Sequence, residues 1–364
     1  MLESIRKSPL KLGIIIVVLI AVNVVGWYAY FNWETPLRGE ALDLPTPTEV
    51  ETTDTPEPPK ETELVLTDTP EVTPTIKPVC GDDFTKTILL TGIDSEGYLF
   101  GLADSIRIVR IDFQTKKVTV LAMPRDLWVD IPGANRWGVY KGKLNQAYFY
   151  GTEGMGFFDG SGYGSGLLAD TLQRNYGLHV DHYVSVNLYA FRQIVNALGG
   201  LDVYLPVDVY VKVNEQPKLF LKAGNHHLNG KDAEKVVRTR IDIGDFGRIR
   251  NQTVVLRALA VKMLTPNGVK QIPDFVNRLL GFVLTDLSAA DISQMACLAA
   301  QIDAREDIIF ETIIPPEEEA EIGQWVMDEY QGYMVYALFY DPAVLTERLA
   351  EFQAGTWPPV QSEE

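Results

Sequence analysis

What this chain lacks most is basic charge. Its 364 residues carry 32 Lys and Arg against 49 Asp and Glu, a net charge of −17. The phosphate backbone of nucleic acid rewards clustered cations and repels a net anion, so a general nucleic-acid binder is excluded. Cysteine is nearly absent: Cys80 and Cys297 are the only two. Two thiols make no metal site on their own. They either close one disulfide, outside the cytoplasm, or stay as buried thiols. The glycine-rich stretch GTEGMGFFDGSGYGSG (151–166) has no Gly-Lys-Ser/Thr, which excludes a Walker phosphate loop. It reads as a mobile loop, with Phe157, Phe158 and Tyr163 as the apolar contacts of a gate. The pair His226-His227 has no third ligand at helical spacing and reads as a turn, not a metal site. No internal repeat is evident.

What is present begins with LGIIIVVLIAVNVVGWYAYF (12–31), which holds no charged residue. A helix needs roughly 20 apolar residues to cross the hydrocarbon core, so this run reads as a transmembrane helix. Arg6, Lys7 and Lys11 precede it and aromatic residues gather at its far end. The positive-inside rule puts residues 1–11 in the cytoplasm and everything after Phe31 outside. Residues 32–83 read as a Pro/Thr/Glu-rich spacer. Between Glu34 and Pro78 there are eleven Asp/Glu and three Lys/Arg, hence −8. Such a segment cannot bury enough apolar surface to offset its chain entropy. As a coil it spans roughly 40 Å.

From 84 to 355 the pattern is that of one folded domain, with 356–364 as a tail. Overall 46% of residues are hydrophobic, enough for a sizeable core. TILLTGI (87–93) is a short apolar run of the kind that forms a buried strand. SIRIVRIDF (105–113) and KVTVLAMP (117–124) flank QTK as a hairpin. Helices are expected over 167–177, 191–198, 246–264, 290–301 and 342–352, and strands over 182–188, 201–206, 308–314 and 333–340. Strands alternating with helices predict a layered α/β domain, with a central mixed sheet and helices on both faces.

Polar clusters fall at the strand ends and in loops: Asp94, Asp104, the run Met123–Asp126 with Arg125 and Asp126, and KLNQAY with Lys143 and Asn145. Ligand sites in open α/β sheets gather there. Arg238, Arg240, Arg248 and Arg250 then crowd into thirteen positions of an otherwise acidic chain, threaded with Asp245 and Gln252. Guanidinium groups so close repel one another unless carboxylates or an anion lie between them, and their planar fork pairs phosphate oxygens bidentately. GDFGRIRNQ also opens a helix, whose free N–H groups favour an anion. Arg248 and Gln252, four residues apart, share one face of it. Asp94 and Asp104 are the candidate ligands for a hard cation such as Mg2+, which takes its remaining positions from water and phosphate. The plain alternative is that Arg248 pairs with Asp245 on a solvated helix face and that the two aspartates cap turns.

The order of these motifs resembles the LytR-CpsA-Psr family. ILLTGID, GLADSI, MPRDLWVDIPG, KLNQAY, DHYVSVNLYAFRQIVNALGGLDVYLP, AGNHHLNGKDAEKVVRTR and GDFGRIRNQ follow one another between Thr87 and Leu259, behind a membrane anchor. The resemblance implies an α-β-α layered fold with an apolar tunnel. It implies a membrane-anchored phosphotransferase that moves a glycopolymer from a polyprenyl-pyrophosphate carrier to peptidoglycan or a related wall acceptor, with Mg2+. Arg125, Arg240, Asp245 and Arg248 would then be catalytic. Arg238, Gln252, Lys143, Asn145 and Asp126 would bind substrate, and Asp94 and Asp104 would hold the metal. A non-catalytic polyprenyl-phosphate binder or a slow pyrophosphatase is the alternative. A transcriptional regulator fits poorly, since only residues 1–11 would face DNA.

The chain departs from the family pattern in places. Leu102, Ala103 and Ser105 surround Asp104 where Arg, a small polar residue and Thr are usual. Leu127 follows the Pro-Arg-Asp run in place of Thr, and Asn251 stands in place of Arg. Two guanidinium donors are thereby missing. Arg107 is close in sequence, but simple strand alternation points it away from the Asp104 face.

Overall fold

The computed structural model describes residues 33–44, 80–81, 83–265, 268, 281–315, 318 and 322–358. The expected transmembrane run 12–31 and most of the expected spacer lie outside these residues. Among the described residues no helix is long and apolar enough to cross a membrane.

The domain opens with β1 (Thr85–Ile93), β2 (Ala103–Asp112) and β3 (Lys117–Met123), an antiparallel meander. A short ribbon of β4 (Trp128–Asp130) and β5 (Lys141–Lys143) leads into α1 (Leu144–Gly151) and α2 (Tyr163–Tyr176). β6 (His182–Asn187) then returns beside β1 and parallel to it, followed by α3 (Leu188–Ala197). Next come β7 (Leu201–Leu205), β8 (Val209–Val213), β9 (Gln216–Leu221) and β10 (Gly224–Leu228), then α4 (Gly230–Arg238) and α5 (Gly244–Met263). The chain continues through β11 (Val283–Thr285), α6 (Ala289–Ala299), β12 (Ile308–Thr312), the hairpin β13 (Gly323–Asp328) and β14 (Tyr333–Leu338), and α7 (Pro342–Ala354). The central sheet is mixed, in the order β11-β6-β1-β2-β3-β12. The expected strands at 201–206 and 333–340 form, but in separate two-stranded ribbons, β7 with β10 and β13 with β14.

One face of the sheet is closed. Leu89, Ile106, Ile108, Leu121 and Met123 pack under α1, α2 and α7, whose Leu168, Leu172, Leu345, Leu349 and Phe352 are buried. Each such side chain contributes roughly 1.5–3 kcal/mol on burial. The glycine run 151–166 is a loop over 152–162, as expected, and its end joins this packing. Its last four residues, Tyr163 to Gly166, are the first turn of α2, and Gly164, Ser165 and Gly166 are buried. A Cβ on Gly166 would sit 1.9 Å from the Ser161 carbonyl oxygen, so only glycine lets the backbone close there. Phe157 stacks between Trp137 and Tyr150, with ring centroids 5.0 and 6.0 Å away.

The opposite face meets α6 at one end, with Ile88, Ile111, Phe113 and Leu298 buried between them. Cys80 and Cys297 join there in a disulfide across 217 residues of sequence. Residues 33–44, read above as spacer, lie along this edge instead. Leu37 donates its N–H to the Leu287 carbonyl and Gly39 to that of Thr285, at 3.1 and 2.7 Å, and Leu42 and Leu44 pack on the main core. Their leucines supply the apolar surface that the Pro/Thr/Glu stretch lacks. At the other end of this face α3, α4 and α5 stand over the sheet, with their own small core around Val195, Leu201, Val236 and Val255.

Candidate active site

Between α5 and the sheet lies a cavity of about 440 Å³. Its floor is Leu90, Gly92, Ser105, Arg107, Val184, Val186 and Val283. Phe191 and Ile194 of α3 and Val255, Leu256, Leu259 and Met263 of α5 line the opposite wall. Gly92 gives the floor no side chain, and the polar Arg107 and Gln252 stand where apolar packing would otherwise close the gap. The apolar tunnel expected from the sequence resemblance has a counterpart in this space.

The charged residues collect at one mouth. Arg125 follows Pro124 at the end of β3, and Asp104 sits at the start of β2. Arg125 Nη1 contacts Asp104 Oδ1, and its Nε lies 3.2 Å from Asp245 Oδ1. Arg248 comes down from the first turns of α5, with Nη1 3.0 Å from Asp104 Oδ2 and Nη2 2.7 Å from Asp245 Oδ1. Two arginines and two aspartates thus form a ring of alternating charge, in which Asp104 and Arg125 lie 120 or more residues from Asp245 and Arg248 in sequence. Asp126 extends it, 3.6 Å from Arg125 Nε and 3.1 Å from Lys143 Nζ. Gln252 donates to the Asp104 carbonyl at 3.3 Å and fixes α5 against β2.

Burial sets the electrostatics of the ring. It pushes the Asp245 carboxyl above its ordinary range, against the pull of Arg248 and Arg125. It pushes the Arg248 guanidinium down, only partly offset by Asp245 and Asp104. For Arg125 burial acts downward too, but Asp126, Asp104 and Asp245 together outweigh it and hold the group firmly charged. The alternative of a solvated Arg248–Asp245 pair fails, because Arg248 is only 2% exposed.

The ring is not self-sufficient. Arg248 Nε and Nη2, Asp245 Oδ2, Arg107 Nη1, Asn145 Oδ1 and Asn251 Nδ2 are buried without a hydrogen bond among the described residues. The Nη2 contact to Asp245 is close, yet its geometry is not that of a hydrogen bond. Buried polar atoms without partners are costly. Here they include several guanidinium donors beside an apolar cavity, which suits an anion carrying an apolar chain.

The other expected site residues are spread around this centre. Asp94 lines the cavity while its Oδ1 accepts the Leu102 N–H at 2.7 Å, so it also braces a turn. Asn145 lies in α1, not in a loop, and its N–H donates to the Arg125 carbonyl at 3.0 Å. Arg238 borders the cavity, half-exposed, and pairs with Glu234 Oε1 at 2.9 Å. Arg240 is exposed at the rim, and its charge acts on Asp245 and Arg248. His226 and His227 sit on β10, where His226 contacts the Lys222 carbonyl and His227 contacts Asp202 Oδ1, each at 2.7 Å.

Arg107 corrects the alternation argument. Gly92 pairs with Ser105 and Ile93 with Ala103, so Asp104 is an extra residue in β2. A bulge of this kind shifts the alternation by one. Arg107 therefore lies on the cavity floor together with Ser105 and Asp104, and it is 1% exposed. Nothing in the local sequence marks the bulge.

No group of three or more His, Cys, Asp or Glu that could hold a metal occurs among the described residues. Asp94 and Asp104 line the same cavity as two carboxylates. Both Asp104 oxygens face arginines and Asp94 Oδ1 accepts from Leu102, so for these two to hold Mg2+ Asp104 would have to exchange an arginine for the cation.

The fold and site define a layered α/β protein with an arginine–carboxylate ring at the mouth of an apolar cavity. The LytR_cpsA_psr family model matches residues 53–338. The chain belongs to that family. Regulatory protein MsrR of Staphylococcus aureus is 32% identical over 214 residues, 58% of this chain and 60% of MsrR. The polyisoprenyl-teichoic acid–peptidoglycan teichoic acid transferase TagU of Enterococcus faecalis is 28% identical over 215 residues, 58% of this chain and 64% of TagU. The chain thus spans less than two thirds of the length of these curated relatives. The crystal structure of Bacillus subtilis TagV superposes with a TM-score of 0.58 at 25% identity, covering 74% of this chain and 96% of that one.

Proposed function

We propose that this chain transfers a glycopolymer phosphate from a polyprenyl-pyrophosphate carrier to peptidoglycan or a related wall acceptor. The observation that carries this reading is the ring of Arg125, Arg248, Asp104 and Asp245 opening onto an apolar cavity. It matches a ligand that is anionic at one end and hydrocarbon at the other. An acceptor hydroxyl attacks the phosphorus bearing the glycan. The new O–P bond forms as the bond to the bridging oxygen breaks, and polyprenyl phosphate leaves. The protein's part is positioning and stabilising phosphate charge. Arg125 and Arg248 hold the diphosphate, and Arg240, exposed beside the ring, pairs its outer oxygens. Asp245, whose proton affinity burial raises, takes the hydroxyl proton. Lys143 and Asp126 orient Arg125, and the leucines and valines of the cavity take the prenyl chain. Asp94 and Asp104 are the residues that would hold Mg2+, which when bound neutralises diphosphate charge.

The membrane is the setting this reading requires. The uncharged run 12–31 supplies an anchor, and the Cys80–Cys297 disulfide is typical of an oxidising compartment such as the cell exterior. The relatives named as transferases support the same assignment.

The test is covalent transfer of a lipid-linked glycan to peptidoglycan. Arg240→Ala is expected to lose most transfer while melting as wild type does, and Arg240→Lys to rescue poorly because a point charge cannot replace the planar fork. Undiminished transfer by Arg240→Ala would remove that residue from the site. Absence of transfer by the wild-type chain, with release of free phosphorylated glycan, would favour the slow pyrophosphatase. Binding of the carrier with neither product would favour the binding protein. Asp104 supports these alternatives, because both its oxygens are already taken by arginines.

A further inference from the structure

The residue that the transfer reading leaves unused is Arg107. It lies at the floor of the cavity, 1% exposed, and no carboxylate among the described residues lies within ion-pair distance of it. Its Nη2 donates to the Ile249 carbonyl at 3.0 Å and approaches Gln252 Oε1 at 3.5 Å. Its Nη1 has no partner. Burial alone draws its guanidinium down to about 10, which still leaves it charged at neutral pH. An arginine that only tied α5 to β2 would not need a second fork arm, yet Nη1 is buried without a hydrogen bond in a residue that lines the cavity. A fixed buried cation with a free donor is a binding element for an anion.

Its position says which anion. Arg107 is three residues further along β2 than Asp104, and the Gln252 side-chain amide links the two, with Oε1 3.5 Å from Arg107 Nη2 and Nε2 3.3 Å from the Asp104 carbonyl oxygen. It pairs across β1 with Leu90, which in turn faces Val184 on β6. The apolar floor therefore begins beside it, while Arg248 lines the same space and joins Arg125 through Asp104 and Asp245. A ligand entering chain-first passes Arg107 with the phosphate nearest its hydrocarbon.

We propose that Arg107 binds the phosphate attached directly to the prenyl chain, one step inside the Arg125–Arg248 ring. This rests on the transfer reading and deepens it. In the transfer step that phosphate is the leaving group. The bond from the glycan-bearing phosphorus to the bridging oxygen breaks, the electron pair stays on that oxygen, and Arg107 meets the charge that develops there.

Binding of farnesyl diphosphate, farnesyl monophosphate and farnesol to the full chain in detergent tests this by calorimetry. The wild type is expected to bind both phosphates more tightly than the alcohol. Arg107→Met, which keeps the bulk and removes the fork, is expected to weaken both phosphates at least tenfold (on the order of one charge-assisted hydrogen bond) and to leave farnesol unchanged. Arg107→Gln, which keeps a donor for the Ile249 carbonyl, gives the same contrast if the Met variant does not fold. Wild-type affinity of either folded variant for farnesyl monophosphate overturns the proposal and leaves the transfer reading standing. Equal weakening of all three ligands, with a lowered melting temperature, also overturns it and makes Arg107 a strut. A wild-type chain that binds neither phosphate overturns the transfer reading and this proposal together.

Discussion

On one face of the central sheet, Leu89, Ile106, Ile108 and Leu121 are sealed under three helices. On the other, Leu90, Ser105 and Arg107 look into a cavity of about 440 Å³. The same strands build both faces, residue by residue in alternation. The closed face holds the glycines that permit close approach, Gly164 and Gly166, and a ladder of small hydroxyls, Thr91, Ser165 and Ser185, bonded at 2.7 and 2.8 Å. The open face holds a buried arginine, a glycine without a covering side chain and a helix that begins with charged residues. Density serves stability on the first face. On the second, incomplete packing leaves room for a ligand, and polar groups left without partners define its charged end.

The largest effect expected is at the mouth of the open face. Arg125→Ala should lower glycan transfer by on the order of 10²–10³, the usual loss for one oriented donor, with the closed-face core still folded by circular dichroism. Transfer within a few-fold of wild type would break the assignment of charge to this mouth. The comparison between faces is sharpened next by paired truncations. Leu172→Ala, on the closed face, should cost about 2–5 kcal/mol in denaturant unfolding, whereas Leu256→Ala, on the cavity wall, should cost about 1 kcal/mol because little packing surrounds it. The same Leu256→Ala should weaken binding of the prenyl substrate. Equal stability losses would mean that the cavity is in truth packed.

Cys297→Ser removes the link that ties Cys80 to α6. Stability should fall by roughly 2–4 kcal/mol while transfer in the folded fraction is preserved, as judged by activity per folded molecule. At the same edge Asp291 accepts from Lys86 Nζ at 2.7 Å and from Ser288. Burial opposes its ionisation, but these partners hold its carboxyl down at about 2. Because the folded value lies below the unfolded one of about 3.9, the contribution is present above pH 4 or so. It is lost as pH falls toward about 2, up to roughly 2 kcal/mol. Asp291→Asn should flatten that part of the acid-unfolding curve, and an unchanged curve would locate the acid sensitivity elsewhere. The smallest effect is expected from Arg257→Ala. Its guanidinium lies over the Phe310 ring at 5.2 Å on the outer part of α5. Loss of one exposed cation–π contact costs about 0.5–1 kcal/mol and should leave transfer unchanged.

Much of this was legible in the residues. Apolar runs and their stops gave β1, β2, β3 and β6, the hairpin between β2 and β3, and the helices that became α2, α3, α5, α6 and α7. Local periodicity and glycine stops are properties of neighbouring residues, so a sequence displays them directly. The crowding of arginines with Asp245 and Gln252 likewise announced an anion site. The short helix α1 was hidden, because KLNQAY is too brief to show a period. The packing of Gly164 and Gly166 at the end of the glycine run was hidden, since composition cannot distinguish glycine used for freedom from glycine used for close approach. The docking of 33–44 was missed because its few leucines are diluted by an acidic, proline-rich continuation.

Sequence by itself thus determined the mixed α/β layering, the family and the chemical types at the site: guanidinium, carboxylate and amide. Only the tertiary structure decided which of them meet. It joined Asp104, Arg125, Asp245 and Arg248 into one ring, closed the Cys80–Cys297 bond and left Arg240 at the rim. It also turned Arg107 onto the cavity floor. The reason is that pairing register is set between strands, not within one. A single extra residue at Asp104, accommodated against Gly92 and Ile93, moves the side chains beyond it to the other face, and no pattern read along β2 alone records that shift.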